Sequence, residues 1–496
     1  MSRSDRAPYA EPEIDPRRWI SLFILLLAGF MNLIDVTIVN VALPRLQENL
    51  NATSSQIEWV VAAYVLAFAL GLLPFGRLGD TIGRKRVFIA GVFCFTLFSA
   101  LCGLAPDMPT LIVARVLQGL SGAMMMPQVL AITQVIFPPQ ERGFAFSLFG
   151  LSAGLASVAG PLTGGLLINA DIYGLDWRPI FLVNIPIGIL TVAAAWRLLP
   201  PMAANHDLKH DIGGVALAAL CVFLLVFPLI EGHSLGWPSW TFVMVASSAV
   251  AALIFVAFER SRARNGKSQL LPASLLTNNS YLLGIAMVTV FFSGVAGFFM
   301  VLAVFLQTGF DFSPLESGLT TVPFPLGVLV ASIVSGRARG RWPRARIGGG
   351  AGLLVVGMFM LRLGVGGVAG EVDHWQLLPP LFISGLGMGI AISSLFQTVL
   401  AQVPPRDAGS GSGAMQSFQQ IGSALGIAIA GQIFFSTLAG NLSAGAGSHP
   451  AFVESLGNAL YYECAAFALI VALVFFVTPV PVQGPAHGHR PQSVEA

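Results

Sequence analysis

The sequence predicts an all-α membrane protein: 14 transmembrane helices, forming two six-helix pseudo-symmetric bundles with two intervening helices. Three observations carry this expectation. Of 496 residues, 55% are hydrophobic and only 10% charged, whereas soluble domains need about 25% charged residues to cover a water-facing surface. Apolar runs long enough to cross about 30 Å of hydrocarbon as helix recur along the whole chain. Basic residues alternate between connecting segments in the phase that this number of crossings demands.

The runs fall at about 19–43, 57–76, 87–105, 109–136, 143–168, 179–200, 212–230, 239–258, 280–306, 314–335, 347–369, 375–402, 411–437 and 458–480. These are spans 1 to 14. The first follows a short polar stretch of mixed charge. It is too long for a signal-peptide core and lacks a small-residue cleavage site, so we expect it to remain as span 1. With the N-terminus inside the cell, the segments assigned inside, with the helix ends that adjoin them, hold 22 of the 26 Lys and Arg. Arg45 and Arg178 lie outside, and Arg115 and Arg362 within spans. Adding or losing one helix would scramble the alternation downstream, so both termini are expected on the cytoplasmic side of the plasma membrane.

A faint internal repeat supports the two-bundle arrangement. GRLGDTIGRKR (Gly76 to Arg86) after span 2 compares with GRARGRWPRAR (Gly336 to Arg346) after span 10, an offset of 260 residues. QGLSGAMMM from Gln118 compares with SGLGMGIAI from Ser384, and PPQERG from Pro138 with PPRDAG from Pro404, both at an offset of 266. Parallel repeats of six spans would give this spacing. The expected organisation is a cytoplasmic tail (1–18), an N-terminal bundle (19–200), two added spans with cytoplasmic linkers (201–279), a C-terminal bundle (280–480) and a second cytoplasmic tail (481–496). Cys94, Cys102, Cys221 and Cys464 fall in or beside apolar runs without metal-ligand spacing and read as small buried hydrophobes.

Span 1 carries an acid, Asp35, deep in hydrocarbon, where a carboxyl needs a partner, a proton or a task. Counted from the outer ends of their runs, Asp35 and Arg115 of span 4 lie at depths of about 12 and 9 Å, so they can face each other. Burial favours the neutral acid and a neighbouring guanidinium favours the carboxylate, so a change in geometry could switch its proton. A purely structural ion pair is the alternative. Arg115, Gly119, Gly122 and Met126 form one stripe on span 4, where glycine permits close helix approach or leaves room for a ligand. Asn32, Asn40, Gln118, Gln128, Gln397 and Gln416 are candidate neutral groups in a cavity between the bundles. Glu58, Glu231, Glu316 and Glu463 sit near expected outer span ends, where solvation at the interface is the favoured reading over substrate contact.

GRLGDTIGRKRV resembles the signature loop of the major facilitator superfamily between spans 2 and 3. ARVLQGLSGAMMMP in span 4 and GLASVAGPLTGG in span 5 resemble that superfamily's proton-site and antiporter motifs. LIDVTIVNVALP and DWRPIFLVNIPIG are similar to segments of its fourteen-span drug:proton antiporter branch. The resemblance covers spans 1 to 6 closely and the rest more loosely. It implies that Asp35 and Arg115 couple protons, that Gly76, Asp80, Gly83 and Arg84 latch the outward-facing state, and that Gly154, Gly160, Pro161, Gly164 and Gly165 belong to an export motif. The second copy has Gly340 where Asp80 would align, so the latch is expected on one side only.

GHSLG (Gly232 to Gly236) lacks the strand–turn–helix setting of a nucleophile elbow, and NGKS (Asn265 to Ser268) lacks the first glycine of a phosphate loop. The histidines, the tail's His487 and His489 included, show no metal spacing, so no cofactor is expected; without a nucleotide site the energy must come from an ion gradient, which the resemblance implies is one of protons. The expectation is therefore a proton-coupled exporter of hydrophobic or amphiphilic compounds, not an enzyme, working in the bilayer without nucleic acid. A periplasmic adaptor is a further partner if the host has two membranes. A dedicated exporter of one endogenous lipid, amino acid or antibiotic is the alternative, and a receptor or membrane enzyme a distant one.

Overall fold

The computed structural model describes residues 15–202, 204–205, 211–232, 235–337, 342–366 and 374–477. Among them, 14 helices are long and apolar enough to cross a membrane: Arg18–Asn49, Ser55–Ile82, Arg84–Gly103, Met108–Ile136, Pro139–Asn169, Pro179–Leu198, Ile212–Glu231, Ser239–Arg264, Asn279–Gly309, Leu315–Ile333, Pro343–Gly366, His374–Leu400, Pro405–Ser443 and Ser448–Phe476. Helix is the outcome hydrocarbon dictates, because each segment must satisfy its own backbone polar groups.

Local chemistry sets the ends. Thr53 and Gln56 close a capping box ahead of span 2, as Ser313 and Glu316 do ahead of span 10. Before span 4, the Asp107 side chain accepts from Thr110 N at 2.8 Å, and these contacts with Thr110 hold its carboxyl below the ordinary range. Gly83, at φ +104°, makes the tight turn between spans 2 and 3, a conformation that side chains resist. Several ends run past expectation. Span 1 continues through Pro44 to Asn49, span 2 to Ile82, span 8 to Arg264 and span 13 from Pro405 to Ser443, and span 14 begins at Ser448 rather than near 458, because turns too polar for a hydropathy count still extend the helix.

Packing repeats along the chain. Span 1 lies against span 5, span 2 against span 4, and span 3 against spans 4 and 6. The same pairings recur eight spans later: 9 with 13, 10 with 12, and 11 with 12 and 14. The two sets meet where span 2 crosses span 13 and where span 5 crosses spans 10 and 12. Span 7 leans on spans 2 and 13, span 8 mainly on span 7, and both leave most of their surface uncovered. At the crossing of spans 2 and 13, a Cβ on Gly76 would collide with the Gly409 carbonyl and one on Gly409 with the Gly76 carbonyl. Only glycine lets the two backbones approach that closely.

Candidate functional site

Asp35 and Arg115 form a fully buried ion pair. Arg115 Nη1 donates to Asp35 Oδ2 at 2.6 Å, with relative exposures of 0% for Asp35 and 1% for Arg115. Gln118 Nε2 donates to Asp35 Oδ1 at 2.7 Å and Asn184 Nδ2 to the same oxygen at 3.0 Å. Arg115 also donates from Nε to the Val60 carbonyl at 3.0 Å and from Nη1 to Gln118 Oε1 at 2.8 Å, and its guanidinium carbon lies 4.2 Å from the centre of the Tyr64 ring. Such saturation is what makes two charges tolerable out of water. Asn184 stands at the break between the helical pieces Pro179–Leu182 and Asn184–Leu198 of span 6, and also donates to Ser99 Oγ at 3.0 Å. Neither Asn184 nor Tyr64 is among the residues that the sequence motifs single out. The sequence signals for Asn184 are a lone amide in the apolar stretch FLVNIPIG and its place in the DWRPIFLVNIPIG segment.

A cavity of about 250 Å³ opens between the two sets of spans. Its wall is mostly apolar and aromatic: Phe68, Met126, Phe149, Phe292, Met388 and Phe396. Asn32, Thr37, Tyr64 and Ser152 on one side and Gln416, Gln419 and Gln420 on the other supply the polar groups. Tyr64 touches both features, with its ring beneath Arg115 and its hydroxyl hydrogen-bonded by the Asn32 amide. Of the expected cavity residues, Asn32, Met126 and Gln416 line it. The others do not. Gln118 belongs to the ion pair, and Gln128 donates to the Phe75 carbonyl at 2.8 Å. Gln397 reaches the Pro139 carbonyl at 2.8 Å, and Asn40 is exposed, bonding Val36 of its own helix at 3.4 Å. Gly119 packs on the Tyr64 backbone, and Gly122 makes room for Asn32, Phe68 and the Tyr64 hydroxyl. The span 4 stripe therefore faces span 2 near Arg115 and reaches the cavity only at Met126.

The signature loop binds span 13. Asp80 accepts from Gly409 N at 2.8 Å, Ser410 N at 2.8 Å and Ser410 Oγ at 2.9 Å, capping the first turn of that helix. Arg84 donates to Asp80 Oδ1 at 2.8 Å and also reaches the Pro405 carbonyl. Arg77 lies 3.4 Å from Asp407. A carboxylate on a helix N-terminus gains from both the free N–H groups and the helix dipole. Gln134 of span 4 bonds the Val403 carbonyl at 3.3 Å, so the end of the bundle bearing the basic loops is tied across the two sets. Gly340 of the second copy lies outside the described residues, as do His233 and Ser234 of GHSLG and the tail histidines.

In span 5, Gly154 meets Pro325 of span 10, while Gly160 and Gly164 meet Thr37 and Ile38 of span 1. Thr37 Oγ1 donates to the Ala156 carbonyl at 3.1 Å, close to the turn where Pro161 removes a backbone donor. Gly165, expected to pack, faces open space: a Cβ added there would meet no atom within 4 Å. Glu58 and Glu316 are exposed, and Glu231 ends span 7 with 8% exposure. Glu463 corrects its expectation: with span 14 starting at Ser448 it lies mid-helix, wholly buried, and not at an outer end.

The Major Facilitator Superfamily model matches residues 25–427. The chain is 40% identical over 438 residues to the probable actinorhodin transporter of Streptomyces coelicolor, covering 88% of this chain and 75% of that protein. It is 32% identical over 425 residues to the tetracenomycin C resistance and export protein of Streptomyces glaucescens, covering 85% and 76%. Its fold is similar to that of the human organic anion transporter solved by crystallography, at TM-score 0.64 and 16% identity, covering 92% of this chain and 99% of that one.

Proposed function

The chain belongs to the major facilitator superfamily, and from that premise we propose that it exports hydrophobic or amphiphilic compounds in exchange for protons by alternating access. The observation that carries this reading is the buried Asp35–Arg115 pair, joined through Tyr64 and Asn32 to the wall of the central cavity. We place the basic end and both termini in the cytoplasm of a plasma-membrane protein. The ties at that end then describe a state closed to the inside.

In that state Asp35 is the carboxylate that Arg115, Gln118 and Asn184 stabilise. A proton arriving at Asp35 removes its charge and releases Arg115 from its partner, so the guanidinium presses differently on Tyr64 and hence on Asn32. Proton binding and cavity shape are in this way linked through two contacts. Substrate seats among the phenylalanines, with Gln416, Gln419 and Gln420 offering neutral hydrogen bonds. Closing of the signature loop on span 13 completes the cycle. The names of the relatives, which speak of antibiotic transport and export, support export over import.

The 40% identity to the S. coelicolor protein favours a second reading, in which one endogenous antibiotic is the dedicated substrate. Purified protein in vesicles, energised by a pH gradient and offered a compound panel, tests both. Broad gradient-driven uptake into inverted vesicles supports the first reading, and uptake of one structural series supports the second. Uptake that persists when the gradient is collapsed overturns proton coupling.

A further inference from the structure

Glu463 lies in the middle of span 14 with 0% exposure, and neither carboxyl oxygen has a hydrogen-bond partner among the described residues. An acid left alone in hydrocarbon is costly, and acids so placed mark ion pathways in membrane proteins. Its surroundings are built for it. A Cβ on Gly297 of span 9 would stand 2.7 Å from Glu463 Oε1 and 2.9 Å from the Gly426 carbonyl of span 13. The carboxyl thus rests on the crossing of spans 9 and 13. The 266-residue offset of the repeat carries Gly160 onto Gly426. Gly160 is where spans 5 and 1 cross at Thr37, two positions from Asp35. Each set of spans therefore holds a fully buried acid beside the same glycine crossing.

The two acids differ in their company. Asp35 has Arg115, and the same offset puts Leu381 in that place in the second set. Span 9 faces Glu463 with Gly297, and a Cβ on that glycine would also stand 2.9 Å from both Ala430 Cβ and the Gly426 carbonyl of span 13. Its chain neighbours Tyr462 and Cys464 are the adjoining ionisable groups. Span 11 contributes Arg362, which packs on Gly457 and 5.4 Å from the Tyr461 ring, toward the end of span 14 away from the basic loops. With no cation paired to it among the described residues, the neutral acid is the form that burial permits.

We propose that Glu463 is a second proton-carrying site, loaded while the basic end is closed and unloaded when spans 9 and 13 shift at the Gly297–Gly426 crossing and admit water. Unloading breaks the carboxyl O–H bond, leaves its electron pair on Glu463 and passes the proton to that water. The proposal rests on the antiport reading above, and the test separates the two. Infrared difference spectra of the full-length protein at neutral pH show the carbonyl stretch of a protonated carboxylic acid. Glu463→Gln removes that component and Asp35→Asn keeps it. In vesicles with a pH difference of about one unit and no membrane potential, one proton fewer per substrate lowers the limiting substrate gradient about tenfold in Glu463→Gln. An infrared component untouched by the substitution, or an unchanged limiting gradient, overturns the second site. Failure of the wild type to build any gradient instead overturns antiport, while the infrared readout needs no transport. Glu463→Met, apolar and of similar length, serves for both readouts if the Gln variant does not fold.

Discussion

Three donors converge on Asp35, and each has a different consequence when lost. Asp35→Asn keeps the shape but leaves the Arg115 guanidinium buried without its counter-charge, a change that costs about 3–5 kcal/mol when a buried pair is broken. We expect a lower melting temperature, binding of substrate retained, and gradient-driven export abolished. Proton-driven transport at the wild-type rate in reconstituted vesicles would refute the coupling role. Asn184→Ala removes a hydrogen bond to a charged oxygen, at a cost of about 1.5–3 kcal/mol, and with it the bond to Ser99 Oγ. It should weaken coupling while leaving the cavity unchanged, because Asn184 does not line it. A large loss of substrate affinity with intact coupling, measured by equilibrium binding alongside transport, would contradict that assignment.

At the scale of the elements, the proposed cycle makes the junction of spans 2 and 13 the contact that governs closure of the basic end. Asp80→Asn weakens a cap worth about 0.5–2 kcal/mol and loses the pairing with Arg84. The closed state should become less populated and turnover slower, with substrate affinity at the cavity little altered. Distances between spin labels at the basic ends of spans 2 and 13 report the population, and an unchanged distribution would count against the latch. Gly409→Val acts on the same contact by sterics, since its side chain would strike the Gly76 carbonyl. It should hold that end apart and depress turnover more than Asp80→Asn does. Wild-type turnover in this variant would show that the backbones need not meet.

On the scale of the whole molecule, the proposed function has the cavity decide what is carried. Its walls are mostly apolar and aromatic and its polar groups are neutral amides and hydroxyls. Both buried mid-span acids, Asp35 and Glu463, lie off the lining. We therefore expect neutral and monocationic aromatic compounds to be exported and dications to be handled poorly. Resistance assays in a pump-deficient host check this, and strong protection against dications with none against monovalent dyes would overturn it. Gln420→Leu should discriminate among neutral compounds by their hydrogen-bonding edges, with losses of about 0.5–1.5 kcal/mol for those that use it.

The span count, the basic-end loops and the depth of Asp35 were legible in the sequence, because hydrocarbon thickness imposes a length on every apolar run and charge asymmetry imposes a phase. The partnership of Asp35 with Arg115 and that of Asp80 with a helix end could also be expected, since a buried charge demands a counterpart. Which amides reach the cavity could not. Helical periodicity says that Gln118, Gly122 and Met126 share a side of span 4, but how spans 1 and 2 pack on span 4 decides that Gln118 meets Asp35 and Met126 meets the cavity. Nor could the place of Glu463 be read, because the polar turns from Ser448 that carry it to mid-helix have no hydropathy signature. Composition determines that a segment enters the membrane; only packing between segments determines what each side chain faces.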